Sequence, residues 1–204
     1  MHTLSAAILA GGRSSRMGRN KALLQLNGRT LIEHVVQAAS SVTDSVFLVT
    51  NQLDDFAFLK LPMYPDLIPN LGPIGGILTA LHHSQTRHCL ILACDLPFVT
   101  PDALAALVRR TRARERAVVL NVGRGPEPLC GIYPATALAE VQARIDSREL
   151  KLQTLLDHLD VDVIDWHQDR DRVLFNINTP DDFKVAEALM CKQPPASGGR
   201  PHSP

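Results

Sequence analysis

The segment Leu9–Lys21 reads Leu-Ala-Gly-Gly-Arg-Ser-Ser-Arg-Met-Gly-Arg-Asn-Lys and follows directly on an apolar run. Glycines let the backbone approach a ligand closely and turn N–H groups toward it. Arg13, Arg16, Arg19 and Lys21 add positive charge, and no Asp or Glu precedes Glu33. Glycine backbone and uncompensated guanidinium charge together suit a polyphosphate. A basic surface loop between strand and helix is the competing reading. Two familiar phosphate loops are excluded. Gly18 is followed by Arg19 and Lys21 by Ala22, so the Gly-Lys-Ser/Thr ending of a Walker loop is missing. Gly11-Gly12 with Gly18 does not supply the G-x-G-x-x-G spacing of a dinucleotide site either.

Asp95 directly follows the run Leu90-Ile91-Leu92-Ala93-Cys94. In open α/β sheets that position, the carboxyl end of a strand, is where ligands bind. A triphosphate arrives with magnesium, a hard cation that takes carboxylate oxygens alongside phosphates and waters. Asp95 is therefore the candidate Mg2+ ligand, with a turn or helix-capping aspartate as the alternative; Pro97 stiffens the turn in either case. Nucleophilic catalysis finds no support. Cys130 has no basic residue near it in sequence, Ser14 and Ser15 have no evident base, and adjacent His82 and His83 point in different directions on a helix.

Strand-like and helix-like stretches alternate around these residues. Apolar or β-rich runs at Leu4–Ala10, Val46–Thr50, Cys89–Cys94, Val118–Val122, Leu129–Tyr133, Val161–Trp166 and Val173–Ile177 predict strands. Helical spacing covers Thr30–Ser40, Ile74–His83, Ala135–Ile145 and Leu152–Leu159. Thr100-Pro101 and Thr179-Pro180 open two more helices, each with a threonine cap and a first-turn proline. Arg109, Arg110, Arg112 and Arg114 sit toward the end of the first of these, where they complement the helix dipole on a solvated face. The pattern predicts one α/β domain over residues 1–192, Rossmann-like, with a mostly parallel central sheet and helices on both faces. Residues 193–204, rich in Pro, Gly and Ser, cannot bury a core and are expected to be disordered.

Hydrophobic residues make up 45% and charged residues 21% of the 204 residues, ordinary for a soluble globular chain. Aromatics at 4% and a formal net charge of zero argue against a nucleic-acid-binding surface. The N-terminal apolar stretch breaks at Gly11-Gly12, too short for a membrane span and without the basic start of a signal peptide. A cytoplasmic protein with no membrane attachment is expected. Cys89, Cys94, Cys130 and Cys191 fit neither a disulfide framework nor a zinc site.

The motif L-A-G-G-x-S-x-R-M-G-x-x-K at Leu9–Lys21 resembles the signature of the molybdenum-cofactor guanylyltransferase family. Three further landmarks follow in order: Pro65-Asp66 with Gly72-Pro73-Ile74-Gly75-Gly76-Ile77, then Cys94-Asp95-Leu96-Pro97-Phe98, then Asn176-Ile177-Asn178-Thr179-Pro180-Asp181-Asp182. The likeness runs from Leu4 to about Leu189. Its first motif and the C-D-x-P-F element are the specific ones. Two stretches depart from the family's pattern: Glu127-Pro128-Leu129-Cys130-Gly131-Ile132-Tyr133-Pro134, and Ser147-Arg148-Glu149-Leu150-Lys151.

The resemblance implies a nucleotidyltransferase that moves GMP from GTP to the phosphate of molybdopterin and releases pyrophosphate, with Mg2+ as cofactor. Its nucleotide contacts would be Leu9, Ala10, Gly11, Gly12, Lys21, Asn51, Asp66 and Asp95. Asn51 could read a base edge or ribose, or form a turn; Asp66 could accept from a guanine edge or start a turn. Gly72 and Gly76 bracket a helix start that could hold the acceptor phosphate, or serve turn and packing. Asn176 and Asn178 would face the acceptor. Lys21 and Arg16, with Arg13, would neutralise charge on the phosphates while Asp95 holds the metal. A CTP-using enzyme acting on the same pterin, another nucleotidyltransferase of the same fold such as a sugar-phosphate enzyme, and a noncatalytic nucleotide-binding module are the alternatives. A monomer or weak oligomer is expected, with molybdoenzymes or cofactor-delivery proteins as candidate partners.

Overall fold

In the first strand every side chain is apolar or small, and every one is buried. A strand of that kind belongs in the middle of a sheet covered on both sides. The computed structural model of the chain describes residues 4–11, 20–111 and 115–191. Gly12, Arg13, Arg16, Arg19, Arg112, Arg114 and the 193–204 tail lie outside the described residues.

The elements run in order as β1 (Leu4–Leu9), a short hairpin of β2 (Gln25–Leu26) and β3 (Arg29–Thr30), α1 (Leu31–Ser40), β4 (Val46–Val49), α2 (Leu53–Phe56), β5 (Met63–Tyr64) and α3 (Pro73–His83). They continue as β6 (His88–Ala93), α4 (Pro101–Thr111), β7 (Ala117–Asn121), β8 (Pro126–Pro134), α5 (Ala137–Asp146), α6 (Leu152–His158), β9 (Val161–Asp165), α7 (Arg170–Val173) and α8 (Pro180–Cys191). Seven strands form one sheet in the order β5-β4-β1-β6-β8-β7-β9. Pairings β1–β4, β1–β6, β4–β5 and β7–β9 are parallel, and β8 runs antiparallel to both its neighbours.

Alternation along β1 splits the core. Ala6 and Ile8 face one layer with Leu48, Leu90 and Leu92, covered by Ile32 and Val35 of α1 and Leu104 and Leu107 of α4. Ala7 and Leu9 face the other with Phe47 and Ile91, covered by Ile74 and Ile77 of α3, Val141 of α5 and Leu155 of α6. The mostly parallel sheet with helices on both faces is therefore as expected. Helix starts also follow their local signals. Thr30 and Glu33 form a capping box on α1. The hydroxyls of Thr100 and Thr179 accept from the N–H groups of Ala103 and Asp182.

The short elements α2 and β5 are not expected from the sequence, and two further features depart from it. Val173–Ile177 is not a strand: α7 ends at Val173 and the chain crosses the end of the sheet instead of pairing along it. Phe175 packs on Phe98 in an edge contact, and the Ile177 N–H donates to the Asp95 carbonyl at 3.2 Å. The β2–β3 hairpin turns through Asn27 and Gly28, both at positive φ (51° and 78°). Asn-Gly is the pair that such a two-residue turn favours.

The thiols of Cys89, Cys94 and Cys130 are buried and free. Burial pushes Cys89 and Cys94 up to about 12, so these groups stay protonated and act as small apolar fillers. Among the described residues no helix is long and apolar enough to cross a membrane.

Gly131 on β8 is held tightly against β7. A Cβ there would lie 2.7 Å from Val119 Cγ1 and 2.8 Å from the Val118 carbonyl oxygen. Gly131→Ala is expected to cost about 1–3 kcal/mol through overpacking, lowering Tm by about 2–4 °C per kcal/mol. Thermal unfolding checks this; an unchanged Tm would mean that the two strands yield at that point.

Candidate active site

A cleft of about 1080 Å³ opens at the carboxyl ends of β1, β4 and β6. Its position follows from strand order: parallel strands deliver their following loops to the same edge of the sheet. Leu9, Ala10 and Gly11 leave β1 into it; Asn51 leaves β4; Asp95 leaves β6. Ligand pockets enclose roughly 300–1,000 Å³, so this one stands at the large end of that range.

Lys21 begins a 3-10 turn whose cap is Asn20, with the Asn20 side chain accepting from the Ala22 N–H. The Asn20 amide also donates to Gln52 at 2.9 Å and to Asp55 at 3.0 Å, which ties the turn to the segment after β4. From that anchor Lys21 Nζ donates to Asp95 Oδ2 at 2.5 Å and to Asn178 Oδ1 at 2.9 Å. The pair is part-buried, with 21% of the Lys21 and 13% of the Asp95 side chain exposed. Asp95 Oδ1 is buried with no hydrogen-bond partner among the described residues. A buried carboxylate oxygen without a donor is costly unless a cation or ligand donor completes it.

The segment carrying Asn178 is fixed at both ends. Ile177 is bonded to the Asp95 carbonyl, and the Asn178 and Thr179 N–H groups donate to Asp182 Oδ2 at 3.0 and 2.8 Å. Those bonds, the Asn178 N–H first, hold the Asp182 carboxyl below the usual carboxylate range. Asn176 and Asn178 both line the cleft.

Asn51 and Asp66 are brought together although a strand and a loop separate them. Asn51 Nδ2 donates to Asp66 Oδ2 at 2.7 Å, and the Asp66 N–H donates to Asn51 Oδ1 at 2.9 Å. The reciprocal pair orients an amide and a carboxylate side by side on one wall. Gly72 caps α3 at φ 70°, a conformation that favours glycine, and Pro73 occupies the first helical position. Gly76 lines the cleft too, and a Cβ there would lie 3.0 Å from Leu9 Cδ1. Close packing of α3 on β1 is thus a sufficient reason for that glycine.

The chain matches the model of the MobA-like NTP transferase domain over residues 6–163. The chain belongs to the MobA-like NTP transferase family. Among relatives of this family, a probable molybdenum cofactor guanylyltransferase of Carboxydothermus hydrogenoformans is 38% identical over 189 residues, covering 90% of this chain and 95% of that protein. A probable molybdenum cofactor guanylyltransferase of Flavobacterium johnsoniae is 34% identical, covering 90% and 96%. The crystal structure of molybdopterin-guanine dinucleotide biosynthesis protein A from Archaeoglobus fulgidus superposes with a TM-score of 0.78 at 31% identity, over 93% of this chain and all of that one.

Within this family member the cleft also collects residues that motif reading passed over. Asn20 was legible only as the neighbour of Lys21. Glu127, Leu129 and Asn70 also line the cleft. Glu127 stands in the stretch that departs from the family's usual pattern, so the only motif-level pointer to it was that the resemblance links that stretch with the acceptor. Its carboxyl is pushed above the usual range, by burial first and then by the charge of Asp95. An acidic residue just before Pro128 was the available signal, and it is a weak one.

Proposed function

We propose that the chain transfers GMP from GTP to the phosphate of molybdopterin, forming the guanine dinucleotide form of the molybdenum cofactor and releasing pyrophosphate. The carrying observation is the Lys21–Asp95 pair at 2.5 Å in the large cleft at the carboxyl ends of the strands. The names of the relatives and of the similar solved structure support the choice of nucleotide and acceptor.

In this reading the triphosphate lies along Leu9, Ala10, Gly11 and Gly12, with Asn51 and Asp66 against the base or ribose. The acceptor occupies the side of Gly72, Gly76, Asn176 and Asn178. An acceptor phosphate oxygen attacks the α-phosphorus, and the bond from that phosphorus to the pyrophosphate oxygen breaks. The attacking oxygen is already ionised, so no general base is needed; alignment and charge neutralisation carry the step. Lys21, with Arg16 and Arg13, balances the negative charge that builds on the phosphates.

Asp95 fits a magnesium ion: its buried Oδ1 has no hydrogen-bond partner among the described residues, and the neighbouring Asn178 Oδ1 is a second hard oxygen. When bound, the ion would supply Lewis-acid neutralisation of the phosphate oxygens. Lys21 Nζ is the cation on Asp95 in the free protein, and a bound triphosphate offers it a more highly charged partner.

Pyrophosphate release measured with molybdopterin and either GTP or CTP tests the reading. Turnover is expected with GTP and at most about a hundredth of it with CTP, the discrimination reached where a site hydrogen-bonds one base edge and not the other. Equal or faster turnover with CTP overturns the guanine assignment.

A further inference from the structure

The cleft divides at Asp95. Toward β4 and β5 its polar groups are Asn51 and Asp66, already locked to each other. Toward β8 they are Glu127 and Asn176, with Leu129 beside them. We infer that Glu127 is a specificity-determining residue of the acceptor half, its carboxylate accepting N–H or O–H donors from the ring portion of the acceptor. This rests on the proposed reaction and adds a residue to it.

Three observations carry the assignment. Glu127 is half-buried, yet no Lys or Arg pairs with it in an ion pair among the described residues. Its Oε1 accepts the Leu129 N–H at 3.1 Å, and Asn176 lines the same cleft. That donor fills only part of the roughly four acceptor positions of a carboxylate. The remaining lone pairs belong to a group that lines the cleft.

Glu127 and Asp95 line the same cleft, so the two carboxylates share one electrostatic neighbourhood. An anionic phosphate placed on Glu127 would be repelled by both. The acceptor phosphate therefore belongs near Lys21, and the part of the acceptor that meets Glu127 is a donor-bearing one. A ring that presents adjacent amino and amide N–H groups matches a carboxylate with two parallel hydrogen bonds, the geometry that makes such pairs strong and selective. Leu129 offers such a ring an apolar neighbour on the same strand.

Glu127→Gln keeps the shape and the bond from Leu129 but turns an N–H donor toward the acceptor's own donors. With GTP, molybdopterin and Mg2+, the full-length variant is expected to raise the KM for molybdopterin by about 10- to 100-fold, the loss of a hydrogen bond to a charged group. The KM for GTP and the Mn2+ affinity of the GTP-bound protein, read by electron paramagnetic resonance, are expected to stay within about twofold, below the effect of any lost charged contact. Glu127→Ala should raise the same KM with the same split.

An acceptor KM unchanged in both variants overturns the assignment and leaves Glu127 as a prop for the β8 turn. An equal rise in the KM for GTP overturns it by placing Glu127 on the nucleotide. Weakened Mn2+ binding overturns it by placing Glu127 in the cation shell. Absence of turnover by the unmodified protein with molybdopterin defeats the proposed reaction itself; turnover with an unmoved acceptor KM defeats only the role of Glu127.

Discussion

Asp95→Asn is expected to lower magnesium-dependent nucleotidyl transfer by at least about a hundred- to thousandfold, the loss typical when a charge-stabilising group is removed from a reaction centre. The substitution is nearly isosteric, so packing against Cys94 and Leu96 should survive. The backbone carbonyl that accepts from Ile177 is untouched. Lys21 keeps Asn178 Oδ1 as an acceptor at 2.9 Å. Circular dichroism and Tm should therefore stay close to those of the unmodified protein while turnover collapses. Mn2+ binding in the presence of GTP should weaken with it, since the orphaned Oδ1 is the oxygen the metal would complete. Turnover within tenfold of the unmodified protein would remove Asp95 from the reaction.

Lys21→Met is the second large effect, and it separates two roles of one cation. Loss of the ammonium should cut kcat/KM for GTP by about a hundredfold or more, because charge building on the phosphates then goes unbalanced. Binding of Mn2+ without nucleotide should move the other way. Lys21 sits 2.5 Å from Asp95 Oδ2 and neutralises the carboxylate that the metal needs, so its removal should tighten metal binding to the free protein. Titration of Mn2+ with and without GTP reads both. If Lys21→Met weakens metal binding in the absence of nucleotide, the Lys21–Asp95 contact is not the resting arrangement of the free protein.

Most of the fold was legible because its signals are local. The apolar run of β1, the threonine caps at Thr100 and Thr179, and the prolines at Pro101 and Pro180 each act within a few residues. The failure at Val173–Ile177 is of the opposite kind. Val173-Leu174-Phe175 and Ile177 make a short β-rich apolar run, but their side chains are drawn to separate places: Val173 and Leu174 to the main core, Phe175 and Ile177 to the small cluster with Phe98. Tertiary burial overrode the pattern, as it often does for short β-rich runs.

For the site, chain chemistry alone identified a basic glycine loop and one carboxylate at a strand end, and the motif order added a resemblance to a known family. Such information is carried by residue types in fixed local order. Contacts between those pieces were decided by the folded sheet. Lys21 meets Asp95 across 74 residues of sequence and Asn178 across 157. Asn51 finds Asp66 because β4 and β5 end at the same edge. Glu127 enters the cleft because β8 reverses direction beside β6. The physical reason is that hydrogen bonds and ion pairs act over a few ångströms, whereas which distant segments come that close depends on strand order and on how both faces of the sheet are buried.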